Sequence, residues 1–329
     1  MKITTHLGLA ALLLALSASL AFAAGGKATT NPKEADADFA VQGEYVGDAT
    51  SKEGEKHTWG VQIVALGEGK FSAVGYPGGL PGDGWDKSEK KTAEGTREGD
   101  KVVLTSPEKV TLTVANDVIT LASPDGNKIG EFKKVHRESK TLGAKAPEGA
   151  VVLFDGSSAD AWEGGKLSED GLLMEGVTSK QKFKSCTGHI EFLLPYMPEA
   201  RGQGRGNSGC YFQGRYEVQM LDSFGLEGAD NECGGLYKIS KPAVNMCYPP
   251  LSWQTYDFDF NAAEYDGDKK VKDATLTILH NGVEIQKDVK LPSDTTAAPM
   301  KEGPGPGPIF LQNHGNPVRY RNIWVVEKK

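Results

Sequence analysis

Residues 207–222 read NSGCYFQGRYEVQMLD, two short strand-like runs, 208–213 and 216–221, joined across Gly214. In the second run side chains alternate, so Arg215, Glu217, Gln219 and Leu221 share one face while Tyr216, Val218 and Met220 take the other. Core strands seldom carry a cation, a carboxylate and an amide in register. Such a row suits a wet cleft that grips a polyol, with the apolar row holding the strand to the core.

The rest of the chain repeats this texture. Long amphipathic helical stretches are missing, and short alternating runs are broken by Gly, Asn, Asp and Pro, which predicts an all-β protein. Residues 38–135 hold seven strand candidates, from Val41–Val46 to Lys128–Lys133, separated by GEG, EGD and SPDGN turns. They predict a small β domain, a barrel or sandwich. The Gly- and Pro-rich stretch 75–86, GYPGGLPGDGWD, reads as a lid or as a plain surface connection. Residues 136–149 are charged and form the expected linker. From 150 to 329 the candidates run from Val151–Phe154 to Arg319–Val326, and Asn281-Gly282 between two alternating runs marks a hairpin. Their spacing predicts a jelly-roll or lectin-like sandwich.

Residues 1–23 have the form of a secretion signal: Lys2, an apolar run from Leu7 to Leu20, and Ala21-Phe22-Ala23 as cleavage site. The expectation is a secreted or periplasmic protein whose residues 24–37 are a disordered leader. No later segment approaches transmembrane length. The formal net charge of −7 argues against nucleic acid as a partner. In an oxidising compartment Cys186, Cys210, Cys233 and Cys247 allow three pairings, of which Cys233–Cys247 and Cys186–Cys210 are favoured. Zinc lacks a CxxC pair or a nearby His to support it.

Several motifs in order then resemble one family. They are LFDG (153–156) with Trp162, NSG (207–209), YEVQMLD (216–222), CGGLY (233–237) and the tail IFLQNHG…VRYRNIWV (309–325). Residues 150–329 resemble the 3-keto-disaccharide hydrolases, also called 3-keto-glucoside lyase/hydratases. The resemblance implies a concanavalin-like sandwich whose concave face binds sugar. It also implies cleavage of a glycoside already oxidised at C3, by C2 proton abstraction and β-elimination, with or without hydration. Such chemistry needs a base, an acid for the leaving group, and a donor or cation for the enolate oxygen. A divalent metal would serve the last role.

Glu217, Asp222 and His314 are the candidate catalytic residues. Glu217 and Gln219 stand about 6.6 Å apart on one strand face, and His314 precedes a Gly at a strand end. Asp222 falls on the opposite face unless a bulge intervenes, and capping the strand end is its alternative. Asn207, Gln219, Arg205, Tyr237 and Arg321 are the candidate sugar ligands. For each a plain alternative stands: a turn Asn, solvated loop arginines at 201 and 205, a core tyrosine. His189 and Glu191 share a strand face and would extend a polar row, whereas His57, His136 and His280 fall in turns or the linker. The competing readings are a non-catalytic carbohydrate-binding sandwich and a structural surface module.

Overall fold

The computed structural model describes residues 27–329, so the expected signal segment and its cleavage site lie outside the described residues. Among the described residues helix is confined to Ala37–Val41 and two single 3-10 turns, Pro32–Glu34 and Gly202–Gly204. The first unit contains β1 (Gly43–Thr50), β2 (Lys56–Gly67), β3 (Lys70–Pro77) and β4 (Lys91–Glu98). It continues with β5 (Lys101–Thr105), β6 (Thr111–Ala115), β7 (Val118–Ala122) and β8 (Lys128–Val135). Each strand pairs antiparallel with the next, and β8 returns to β1, closing an eight-stranded barrel without a free edge.

Alternate residues point inward and bury Tyr45, Ile63, Phe71, Val102, Leu104, Val114, Ile119 and Phe132. The seven-strand expectation omitted β4, KTAEGTRE. The register aligns Ala93 with Ala73 and Gly95 with Phe71, so β4 turns small residues inward. It therefore lacks the apolar alternation that marks a strand. At one end Phe39, Val41 and Tyr196 pack on the barrel core.

The second unit has two sheets. Its strands are β9 (Val151–Phe154), β10 (Trp162–Glu163), β11 (Leu173–Met174), β12 (Val177–Phe183), β13 (Cys186–Leu193), β14 (Ser208–Phe212) and β15 (Tyr216–Met220). They are followed by β16 (Trp253–Asn261), β17 (Glu264–Asp266), β18 (Lys269–Lys272), β19 (Ala274–His280), β20 (Val283–Leu291), β21 (Gly307–Leu311) and β22 (Arg319–Glu327). One sheet runs β10-β12-β21-β14-β15; the other runs β11-β22-β13-β16-β19-β20, with β9 on β22, and β17 and β18 form a separate hairpin. A single core joins the two: Phe212 of β14 meets Phe258 edge-on at 4.7 Å and stacks on Phe260 at 5.6 Å. Trp162 donates its indole N–H to the Leu153 carbonyl at 2.9 Å, which fixes the LFDG entry. Asn281 and Gly282 have φ of 53° and 77°, as a two-residue type I′ hairpin requires.

Three expectations are corrected. The leader is tied down from Thr29, whose backbone pairs both ways with Tyr196, and Asp38 is salt-bridged to Arg97 at 2.7 Å. His280 is no turn residue: it ends β19 fully buried, Nε2 to Gln254 at 2.9 Å, and burial pulls its pKa down to about 3. The four cysteines are buried free thiols, not disulfides. Cys233 Sγ pairs with the Tyr256 hydroxyl at 3.2 Å and Cys247 Sγ points at the Tyr248 carbonyl, and the two thiols adjoin each other as the favoured pairing expected, without a bond between them.

Candidate active site

The outer face of the five-stranded sheet carries the row singled out in the sequence. In the register of β14 on β15, Gly209 faces Gln219 and Tyr211 faces Glu217. Cys210, Phe212, Tyr216, Val218 and Met220 point the other way, into the core. Glu217 is thus pinned in place by an apolar neighbour on either side and is only 3 % exposed. Burial raises its pKa to about 7, and a hydrogen bond from Tyr211 pulls only partly the other way. A carboxyl group with that value is half ionised at neutral pH.

Around it stand polar groups from several loops. Tyr211 takes a hydrogen bond from the Gln312 amide at 3.2 Å. The Tyr237 N–H donates to the Glu217 carbonyl at 3.1 Å, which brings the half-buried Tyr237 beside the row. Gln219 donates to Gln203 Oε1 at 3.0 Å and accepts from the Met220 N–H at 3.0 Å. Asn207 donates to the Gln203 carbonyl at 2.7 Å, yet its own Oδ1 is buried without a partner. An orphaned buried acceptor in such a place calls for a donor from outside, and a sugar hydroxyl is one.

Gly209 keeps this space open. A Cβ there would overlap Glu217 Oε1 and lie 3.0 Å from the Tyr211 ring. Gly209→Ala is therefore expected to displace the carboxyl, lowering kcat about tenfold or more with a normal far-ultraviolet circular dichroism spectrum. Wild-type kcat in this variant would refute the placement.

His314 is half-buried in the loop after β21. Gln312 and Asn316 anchor that loop on either side of it: Asn316 Oδ1 accepts the Asn207 N–H at 2.7 Å, and Gln312 bonds to Tyr211. The loop thus carries His314 to the same edge of the sheet as Asn207.

Asp222 and Arg205 are placed differently. Their buried ion pair measures 2.6 Å, and Arg205 also reaches the carbonyls of Ala65, Pro198 and Ala200. The two are engaged with each other and bind the sandwich to strand β2 of the barrel. Arg201 does similar work, donating to the Leu66 carbonyl at 2.7 Å. Arg215 holds the carbonyls of Lys301, Gly303 and Gly305, so it fastens the Pro-rich loop before β21.

Arg321 lies on the other sheet. It bonds Glu191 at 2.6 Å and covers the Trp253 ring at 3.9 Å. Glu191 also accepts from Asn322 at 2.8 Å and from the Gly143 N–H at 2.6 Å, and His189 stands between Glu191 and Asp257. Burial disfavours the Glu191 charge, but these hydrogen bonds outweigh it and hold its pKa down at about 2. Arg321 therefore takes part in a network under the 136–149 segment, apart from the Glu217 row.

Among the described residues no three His, Cys, Asp or Glu side chains gather to hold a metal ion. The groups named around Glu217 are amides and phenols, which leaves Glu217 as the one carboxylate among them. Tyr211, Gln203 and Gln312 were not among the sequence candidates. Tyr211 lies two residues past Gly209, directly across from Glu217 on the same face of the sheet, and the alternation that singled out Glu217 reaches it too.

The fold and this row place the chain among the sandwich proteins built for carbohydrate. Residues 149–326 match the family described as 3-keto-alpha-glucoside-1,2-lyase-like domains, and the chain belongs to that family. A solved structure from Parabacteroides distasonis ATCC 8503, titled a "putative glycosyl hydrolase", is similar at 35% identity and a TM-score of 0.50. The similarity covers 56% of this chain and 85% of that one. A second structure from the same organism with the same description shares 17% identity at a TM-score of 0.41, over 59% of this chain and 100% of that one. No curated protein matches the chain.

Proposed function

We propose that the protein cleaves 3-keto-glucosides by elimination at C1 and C2, with Glu217 as the base. The carrying observation is a carboxyl group shifted by burial to about 7, in a row that continues through Gln219 and Gln203 to the unpaired acceptor of Asn207. A base works best when its pKa lies near the working pH.

A ketone at C3 acidifies the C2 hydrogen. Glu217 takes that hydrogen as a proton, and the electron pair moves onto the C3 oxygen as an enolate. The Tyr237 hydroxyl and the Gln312 amide are the nearby donors suited to that oxygen. The enolate then collapses: C1=C2 forms, the C1–O bond breaks, and the departing oxygen takes a proton from His314. The products are a 2-hydroxy-3-keto-glucal and the freed alcohol. Water adding across C1=C2 gives the 3-keto sugar. Asn207 Oδ1 accepts a ring hydroxyl and fixes the sugar's orientation. The substrate's entry into an oxidised-sugar route and export of the enzyme are part of the same reading.

The test is turnover of a 3-keto-α-glucoside against the unoxidised glucoside, before and after EDTA. Cleavage of the keto sugar alone, surviving EDTA, is the expected result. Activity lost to EDTA and restored by a divalent ion would place a metal in the mechanism. Sugar binding without turnover of either would leave a carbohydrate-binding sandwich instead.

A further inference from the structure

We propose that the N-terminal barrel is a binding site for a neutral, largely apolar small molecule. The two halves of its interior are built differently. The half toward Tyr196 is filled by large side chains such as Tyr45, Phe71 and Leu104. The other half contains a cavity of about 360 Å³, lined by Ala49, Ala73, Gly75, Ala93, Leu112 and Phe132 among others. That volume equals roughly a dozen waters' share of liquid, and it falls in the lower range of small-ligand pockets.

The space follows from the sequence. Antiparallel register places Ala73 opposite both Ile63 and Ala93, so small residues adjoin on the inward row of neighbouring strands. A Cβ added at Gly75 would meet nothing nearer than Trp59, at 3.6 Å. Barrels of eight strands fill with side chains or hold one small ligand. Here trimming to Ala and Gly leaves the second outcome.

The mouth decides the ligand's charge. Lys91 lies 3.4 Å from Glu108 and 3.8 Å from Glu89, and His57 lies 3.6 Å from Glu55. The Lys91 ammonium and the His57 ring nitrogen already face carboxylates. An anionic head group would have to compete with those carboxylates, whereas an uncharged molecule need only displace water from apolar walls. Half-exposed Trp59 lines the same cavity and reports on its contents.

The experiment titrates the full chain with the neutral fluorophore N-phenyl-1-naphthylamine. Saturable one-to-one binding with tryptophan-sensitised emission is expected. Ala73→Leu with Ala93→Leu fills the space and should weaken binding by about tenfold or more, while keto-sugar turnover by the sandwich persists. Should that variant not fold, Trp59→Phe serves instead, because it removes the nearest energy donor and should lower sensitised emission. 1-Octanol should displace the probe at lower concentration than octanoate. Absence of saturable binding, equal affinity in the filled barrel, or unchanged emission in Trp59→Phe would overturn the barrel site. Better displacement by octanoate would overturn its preference for a neutral ligand.

Discussion

Glu217→Gln is expected to lower turnover of a 3-keto-α-glucoside by about 10²–10⁴-fold and, above pH 7, to make the protein more stable. The two effects share one cause. Burial lifts the Glu217 pKa from the ordinary 4.5 to about 7. Below pH 4.5 the group is protonated in both folded and unfolded chains and has no pH-dependent effect. As pH rises toward 7 the unfolded chain releases its proton first, so folding loses stability across that window and stays weaker above it. The full difference is about 3 kcal/mol at most. Glutamine keeps the shape and removes the charge, so its denaturation midpoint should stay level from pH 5 to 8 where that of the wild type falls. In wild type, kcat/KM should rise with pH through about 7, as a base requires. A falling limb there would make Glu217 the acid, and an unchanged rate in Glu217→Gln would remove it from the chemistry.

Asp222→Ala should destabilise the fold by about 3–5 kcal/mol. Arg205 would remain buried, with carbonyl acceptors and no counter-charge. The double variant Arg205→Met, Asp222→Leu should recover most of that loss, because removing both charges leaves no buried ion without its counter-charge. Urea denaturation of the two variants and wild type distinguishes the outcomes. A small loss in Asp222→Ala together with a large loss of kcat would return Asp222 to the catalytic group.

These cases show what a sequence discloses. Alternation along 215–221 could be read directly, because side chains on a strand alternate whatever the partners are. The same rule left β4 unseen: Ala93 and Gly95 face inward and give no apolar signal. The fates of Arg205 and Asp222 were hidden for another reason. Beyond Asp222, the partners of Arg205 are backbone carbonyls, that of Ala65 in the barrel among them, and a carbonyl has no residue type. Likewise Asn207 could be named as a sugar ligand, but its orphaned oxygen depends on where Gln203 and Asn316 settle. Arg321 was legible as a polar strand residue; which sheet face it serves depended on the bulge between His189 and Glu191 in the pairing with β22.

The segment joining the two units is more than a tether. Ser139 and Thr141 bond the Thr255 hydroxyl at 2.6 and 2.8 Å, the Gly143 N–H bonds Glu191, and the Ala144 carbonyl receives Asn322 and Trp324. Ser139, Thr141, Gly143 and Ala144 lie upstream of residue 149, where the family likeness begins, and their partners lie downstream of it. A border drawn by kinship thus passes through a working hydrogen-bond network. The sandwich takes a piece of its neighbour's tail for a roof. A chain cut at that border would deliver a sheet whose Glu191 had lost the Gly143 N–H, and whose Asn322 and Trp324 had lost the Ala144 carbonyl.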